Sequence, residues 1–547
     1  MGWKILPSAC LLLVVATCKS NKAAPEPISG DESDTYTVGG TVSGLSGTLV
    51  LQNNGEDNLT ITTNGNFTFP TRLPEGATYD VTVLINPAGQ VCHVRDNQGT
   101  VAGTHVTNIM VQCSSDTTWV QDAYLKASNA EASDEFGYSV AISGSTIVVG
   151  AYQEDSNQPT ITNIDGQASP DNSAADAGAV YVFKRNANGN WIQDAYLKAS
   201  NAETGDCFGY SVSISGTMLS VGSPYERSNQ TTITNNDGQA SPDNSAADAG
   251  AVYVFKRDTN GNWIQDAYLK ASNAEADDWF GHSVAISAST VVVGAPREDS
   301  YHTTIINDDG QAATNNFVPN SGAVYVFKRD ANGNWIQDAY LKASNADTND
   351  DEFGRAVAIS GTIIAVGANG EDSNQTTITN NDGQAAPDNN AHNTGAVYVF
   401  KRDANGNWIQ DAYLKASNAG NDDYFGYSVA ISGSTIVVGA HQEDSDQSTI
   451  INTDGQASAN NSAADAGAVY VFKRDTNGNW IQDAYLKASN AEGGDKFGSS
   501  VAISGSTIVV GAHWEDSNQT TITNNDGQAA PGNGATNSGA AYIFKAF

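Results

Sequence analysis

Apolar residues in this chain come in short bursts separated by Gly, Asn and Asp. Between residues 34 and 115 they occupy "YTVGGTVSGL", "GTLVLQNNG", "NLTITTNGNFTF", "ATYDVTVLI", "QVCHVRDNQGTVAG" and "VTNIMVQC". Alternation of apolar and polar positions, closed by turn residues, predicts six half-buried strands and hence a small β-sandwich over 34–115. From Trp119 onward the bursts become more apolar and begin to recur as "WVQDAYLKAS", "FGYSVAIS", "STIVVGA" and "GAVYVFKR". They are β-branched and aromatic, as strands are, and no long amphipathic helix interrupts them.

The recurrence has a fixed length. Trp119, Trp191, Trp263, Trp335, Trp408 and Trp480 open six units spaced 72 or 73 residues apart, a period that predicts a solenoid or a propeller. Four strand words per unit favour an all-β β-propeller of four-stranded blades over 119–547, six blades being expected and seven the alternative. The array begins on a "W…YLKAS" word and ends on "GAAYIFKAF", so pairing of Trp119–Ser128 with the last strand would close the ring and remove its edges. Antiparallel strands place the tight "SGS" and "KRDANGN" turns at one end of each blade. The loop before "FG" and a long insertion such as "EDSNQTTITNNDGQA" fall at the other.

Charge sharpens this picture. With 61 Asp and Glu against 26 Lys and Arg the net charge is −35, a field that excludes nucleic acid as a partner. Carboxylates recur in step at the insertion end. Two residues before each Phe-Gly stand Asp134, Asp206, Asp278, Asp351, Asp423 and Asp495. After each Gly-Ala or Gly-Ser come Glu154, Glu226, Glu298, Glu371, Glu443 and Glu515, followed by Asp155, Asp299, Asp372, Asp444 and Asp516 but by Arg227 in the second unit. The "DGQA" word adds Asp165, Asp237, Asp309, Asp382, Asp454 and Asp526. Hard cations take six to eight oxygen ligands, which makes each blade a candidate Ca²⁺ site between the insertion and the loop before "FG". The alternative is that these Asp and Asn side chains order their own turns.

The first 18 residues, "MGWKILPSACLLLVVATC", carry one Lys and then an apolar run too short for a stable membrane anchor, which fits a signal peptide. Val15-Ala16-Thr17-Cys18 resembles a bacterial lipobox, with Thr17 where Gly, Ala or Ser is usual. The resemblance implies lipidation of Cys18, a lipoprotein at the outer membrane or cell surface, and residues 19–33 as a flexible tether; plain secretion is the alternative. Cys92 and Cys113 are the expected disulfide pair. Cys207 occupies a position that holds Glu, Trp, Tyr or Lys in the other units, and is expected to be exposed and inert.

The pairs Phe136-Gly137 and Gly150-Ala151, with Phe208-Gly209, Phe280-Gly281, Phe353-Gly354, Phe425-Gly426 and Phe497-Gly498, resemble the FG-GAP repeats of the integrin α-subunit propeller. The resemblance spans about 430 of the 547 residues, and the third unit spells the full Gly294-Ala295-Pro296. It implies adhesion or protein recognition. Integrin Ca²⁺ loops lie between Phe-Gly and Gly-Ala-Pro, where this chain has the tight turn Ser143-Gly144-Ser145, so those ligands do not carry over. Residues 34–115 resemble the prealbumin-like or Ig-like modules of bacterial surface proteins, implying a spacer.

Catalysis is not expected. "GYSVA" at Gly137–Ala141 has the letters of a hydrolase elbow, but its Ser lies in a strand word that recurs in most units. Near-identical blades favour a monomeric, lipid-anchored binding scaffold for a protein or glycan, with Trp279, Tyr301, Phe317 and Trp514 as aromatic departures from the repeat. A structural envelope protein is the second reading, and a carbohydrate-active enzyme the third.

Overall fold

The computed structural model describes residues 35–87, 90–115, 123–163, 171–186, 188–236, 243–307, 312, 316–346, 350–381, 388–452, 460–518 and 534–545. The chain divides into two compact units, Met1–Val120 and Gln121–Phe547. The expected leader, Cys18 and the tether lie outside the described residues.

The first unit is a sandwich of two four-stranded sheets. One sheet runs in the order Gly65–Thr68, Val38–Ser43, Val106–Ser115, Gln90–Arg95, and the other Asp57–Ile61, Leu49–Asn53, Thr78–Ile85, Gln98–Thr100. Alternate residues of both sheets, Val38, Leu49, Leu51, Val81 and Ile109 among them, meet in a shared core. Ten strands replace the six expected, because two-residue and three-residue pieces such as Thr35–Tyr36 are too short to show a period. Cys92 and Cys113 stand opposite one another on neighbouring strands and form the expected disulfide.

The second unit consists of six successive blades. In the second blade the inner strand Ser211–Ser215 pairs with Met218–Ser223, that with Ala251–Arg257, and that with Trp263–Leu269. "AVYVF" is buried at every position, since it is sandwiched between neighbouring blades; this is why its apolar run does not alternate. A fifth strand corrects the four-strand expectation. Thr234–Asn235, from within the insertion, pairs outside Trp263–Leu269, and the other blades up to the fifth repeat the arrangement. The sixth blade has three strands among the described residues, Phe497–Ser504, Thr507–Ala512 and Ala540–Lys545.

Contacts between blades explain the repeating words. Phe208 is fully buried and packs edge-on against Tyr253 and Phe255 of its own blade. Gly209 contacts the previous blade: a Cβ on Gly150 would lie 2.1 Å from the Gly209 carbonyl oxygen, so the "FG" and "GA" glycines permit backbone to lie on backbone. The Ser139 hydroxyl donates to that same carbonyl at 2.7 Å. At the outer edge, Asp266 accepts from Lys256 of its own blade and from Arg329 and Trp335 Nε1 of the next. Asn235 then grips the next blade's outer strand, accepting from Trp335 N at 2.6 Å and donating to Trp335 O at 3.0 Å. Asn163, Asn307 and Asn380 hold Trp263, Trp408 and Trp480 in the same way.

The ends of the array differ from its middle. Val140 and Ile142 on the first inner strand are each 65% exposed, whereas Val284 and Ile286 at the same positions of the third blade are buried. Ala123–Ser128, the described part of the expected closing strand, forms no strand, and among the described residues no strand pairs with the outer edge of Ala540–Lys545. Tyr124 is 79% exposed while Tyr196, Tyr268, Tyr340, Tyr413 and Tyr485 are fully buried, because the word becomes a strand only where a "VYVF" strand lies beside it. Trp119 lies outside the described residues.

Candidate functional site

The three acidic registers have different surroundings. Glu226 is buried at the blade's insertion end, where Oε2 accepts from Lys270 Nζ at 3.0 Å and from Ser228 N, and Oε1 accepts from Asn201 Nδ2. Tyr253 donates to the same Asn201. The lysine is that of "YLK", and the pair recurs as Glu154–Lys198, Glu298–Lys342, Glu371–Lys415 and Glu443–Lys487. Burial lowers the pKa of each of these lysines and the glutamate opposes the shift. Glu515 keeps the bond from Asn490 Nδ2.

The aspartates two residues before Phe-Gly cap the loop that precedes them. Asp134, Asp206, Asp278, Asp423 and Asp495 accept the backbone N–H three residues earlier at 2.8–3.1 Å. Asp351 is buried at the corresponding place. Burial, reinforced by the glutamate nearby, pushes the carboxyls of Asp206 and Asp278 up to about 8, Asp423 to about 7 and Asp495 to about 6. Asp155, Asp299, Asp372, Asp444 and Asp516 each accept the N–H of the residue 21 positions on, ordering the turn into "AVYVF". Asp165, Asp237, Asp309, Asp382, Asp454 and Asp526 lie outside the described residues. Among the described residues no group of three or more His, Cys, Asp or Glu side chains is arranged to hold a metal ion.

Individuality among the blades is concentrated elsewhere, at the insertion end of the inner strands. The residue after Phe-Gly is Tyr138, Tyr210, His282, Arg355, Tyr427 and Ser499 in turn. These side chains converge with their neighbours just after Gly-Ala or Gly-Ser. Tyr138 lies 4.4 Å from Tyr152 and 5.0 Å from Tyr210, and Tyr210 lies 5.1 Å from His282 with its hydroxyl 3.3 Å from Nε2 (ring separations between centroids). Across the cluster Arg355 sits over Tyr427, which packs 3.9 Å from His441. Tyr138 and Tyr210 both feel the charge of Arg355, which itself sits over Tyr427, so residues of the first, second, fourth and fifth blades face one space.

The residue before Phe-Gly forms a second tier. Glu135, Cys207, Trp279, Glu352, Tyr424 and Lys496 all hold φ between 53° and 58°, the left-handed region that non-glycine residues seldom adopt. Trp279 stacks on His282 and lies under the Arg297 guanidinium at 3.4 Å. In the sixth blade the roles are exchanged, with Lys496 over Trp514 at 4.1 Å. Cys207 corrects an expectation: it is buried, close to Tyr152 and Tyr225, and burial lifts its thiol to about 12.

His282 and His441 are neutral. Burial first, then the charges of Arg355 and of Arg297 or Lys496, depress both to about 3. Among the described residues, the buried atoms Trp279 Nε1, His282 Nδ1 and His441 Nδ1 have no hydrogen-bond partner.

Of the aromatic departures noted in the sequence, Trp279 and Trp514 join this inner tier, while Tyr301 and Phe317 stand out on the third insertion at 61% and 79% exposure. Sequence reasoning missed Tyr138, Tyr210, His282, Arg355, Tyr427 and His441. A signal was available. The cations of the propeller that stand outside the "YLK" and "FK(R)" words are Arg227, Arg297, Arg355 and Lys496, and all belong to these inner-end loops.

The FG-GAP repeat family model matches residues 119–183, 191–255, 263–327, 335–400, 408–472 and 480–544. No curated protein matches the chain. Among solved structures, it is similar to a hypothetical selenium-binding protein from Sulfolobus tokodaii, with 7% identity and a TM-score of 0.24 over 63% of this chain and 77% of that one.

Proposed function

This chain belongs to the FG-GAP repeat family, and from that premise we propose that it is a non-catalytic binding scaffold of the cell surface that recognises a protein or glycan through the inner-end cluster of its blades. The observation that carries the reading is the concentration of blade-to-blade differences there. Tyr138, Tyr210, His282, Arg355 and Tyr427 replace one another at a single position of units that are otherwise near-copies. A repeat that only filled space would have no cause to gather its exceptions at one place. Rings, a guanidinium and neutral imidazoles supply contact area and directional hydrogen bonds at little conformational cost, which is the composition of recognition surfaces.

The acidic registers take a structural role in this reading. Each described carboxylate set has backbone or lysine partners inside the fold, which supports ordered turns over Ca²⁺ as their purpose. Calorimetry with millimolar Ca²⁺ tests that: a binding isotherm, or a melting temperature lowered by chelator, would restore the cation. Export with lipidation at Cys18 delivers the scaffold to the surface, and metabolic labelling with palmitate should mark the parent but not a Cys18→Ser variant. The function itself is tested by protein and glycan arrays with the full chain. Binding abolished by Tyr210→Ala and Arg355→Ala supports the reading, and binding indifferent to both overturns it.

A further inference from the structure

We propose that Asn188, in the turn between Ala179–Arg185 and Trp191–Leu197 of the first blade, is a site of spontaneous deamidation, and that Asp258, Asp330, Asp403 and Asp475 protect the matching Asn-Gly pairs of the next four blades. This chemistry is independent of any ligand at the inner-end cluster. Asn before Gly is prone to it because a glycine, without Cβ, leaves its N–H open to the Asn side chain. The Gly nitrogen bonds to the Asn Cγ and gives its proton to water, while the Cγ–Nδ2 bond breaks and Nδ2 leaves as ammonia. Water then opens the resulting five-membered imide at one carbonyl or the other, giving Asp or isoaspartate.

Five blades carry Asn-Gly-Asn before the Trp word, with the pair at Asn188, Asn260, Asn332, Asn405 and Asn477. In each, the Gly N–H donates to the carbonyl three residues earlier at 2.9–3.1 Å, so the attacking nitrogen is held alike in all five. The side chain it attacks is not. In the second blade Asp258 Oδ1 accepts from Asn260 N and Asn262 N at 2.8 Å each, and Oδ2 accepts from Asn260 Nδ2 at 3.3 Å. Asp330, Asp403 and Asp475 repeat the set, with the Nδ2 bond at 3.4 Å. The amide is thus tied back toward the residue two positions before it, and Cγ must leave that bond to reach the Gly nitrogen. The backbone N–H of the Asn four residues on, first among several bonds, holds these four carboxyls below the ordinary range. They are ionised at neutral pH, and a negative charge in the turn opposes loss of the Gly proton.

The first blade has Asn186 in place of the Asp. Its Oδ1 accepts from Asn188 N and Asn190 N at 3.0 Å each, so the turn keeps its form. Its other side-chain atom, Nδ2, only donates and cannot take the Asn188 amide, and Asn186 carries no charge. Among the described residues none accepts from Asn188 Nδ2, and Asn188 is exposed to water. Asn-Gly pairs outside these turns are held: Asn54 Nδ2 donates to Thr78 O and Asn64 Nδ2 to Leu45 O, each at 3.0 Å, and Asn369 is buried. Asn533 lies outside the described residues. Conversion at Asn188 places a carboxylate, and in the isoaspartate form an extra backbone methylene, in the turn that Arg185 Nη1 closes by donating to Gly189 O at 2.5 Å.

The test ages the full chain in mildly alkaline buffer and reads each Asn-Gly peptide by mass spectrometry for the amide-to-acid mass gain, with isoaspartate resolved by its separate elution. Asn188 should convert at least threefold faster than Asn260, Asn332, Asn405 and Asn477. Asn186→Asp should slow Asn188 to the rate of the other four, and Asp258→Asn should speed Asn260 to that of Asn188. Both changes sit in exposed turns, and melting temperatures check that each variant is folded. In concentrated urea, where the turns are lost, the spread among the five sites should collapse. Equal rates in the folded chain overturn the proposal. So does a fast Asn188 that Asn186→Asp leaves unchanged, or a spread that survives urea undiminished.

Discussion

Lys342 is fully buried, and what makes that tolerable is Glu298 beside it together with the Ser321 hydroxyl and the Gly322 carbonyl. Removing one partner of a buried, hydrogen-bonded pair strands the other charge, at a cost of about 3–5 kcal/mol. Lys342→Met should therefore lower the urea midpoint of the propeller markedly, while the double change with Glu298→Leu should recover much of the loss. The aspartates before Phe-Gly behave in the opposite sense. Their carboxyls are raised on folding, so the folded chain keeps protons that the unfolded chain has already released. Stability from these sites is full below the ordinary Asp value of about 4 and is lost as pH rises toward about 8. Asp206→Asn retains an oxygen for Glu203 N–H and loses the titration. Its melting temperature should exceed the parent's at pH 8 and match it near pH 4. Spacing in the sequence located both carboxylate sets but not their partners, since Lys342 comes 44 residues after Glu298 and only the return of the outer strand unites them.

At the scale of the element, the insertion is a latch. Its two-residue strand Thr234–Asn235 docks on its own blade, and the Asn235 amide crosses to the backbone of Trp335. Two hydrogen bonds at about 0.5–1.5 kcal/mol each put the expected cost of Asn235→Ala at roughly 1–3 kcal/mol. A thermal melt that does not move would argue against the latch. The "TITN" and "IIN" letters recur in the chain, yet two residues carry no period, so four strand words per unit are legible and the fifth is not. The inner, second and third strands were legible because each is a separate β-branched word between Gly turns.

For the whole molecule, the 72–73-residue period pointed to six blades, with seven the alternative, and the Phe-Gly and Gly-Ala words marked where they touch. The convergence of Tyr138, Tyr210, Arg355 and Tyr427 was not legible, because it depends on how neighbouring blades turn their inner ends toward one another. The ends of the array are also a property of the assembly. Val140 and Ile142 are exposed on the first blade, as are Val509 and Ile543 on the sixth, so the terminal blades have one uncovered face. In a repeat array stability is shared between neighbours, and hydrogen exchange should show the slowest amides in the third and fourth blades, with protection falling toward both ends. Uniform protection would mean that the end faces are covered in solution.

The latch has a mechanical consequence. Because Asn235 reaches forward to Trp335, exactly one hundred positions along the chain, tension applied to the chain ends loads each blade through its successor instead of through a single covalent thread. Under a pulling apparatus the array should yield in discrete ruptures. Each would free one unit of 72 or 73 residues, roughly 250 Å of slack at about 3.5 Å per residue, and the force trace would be a sawtooth.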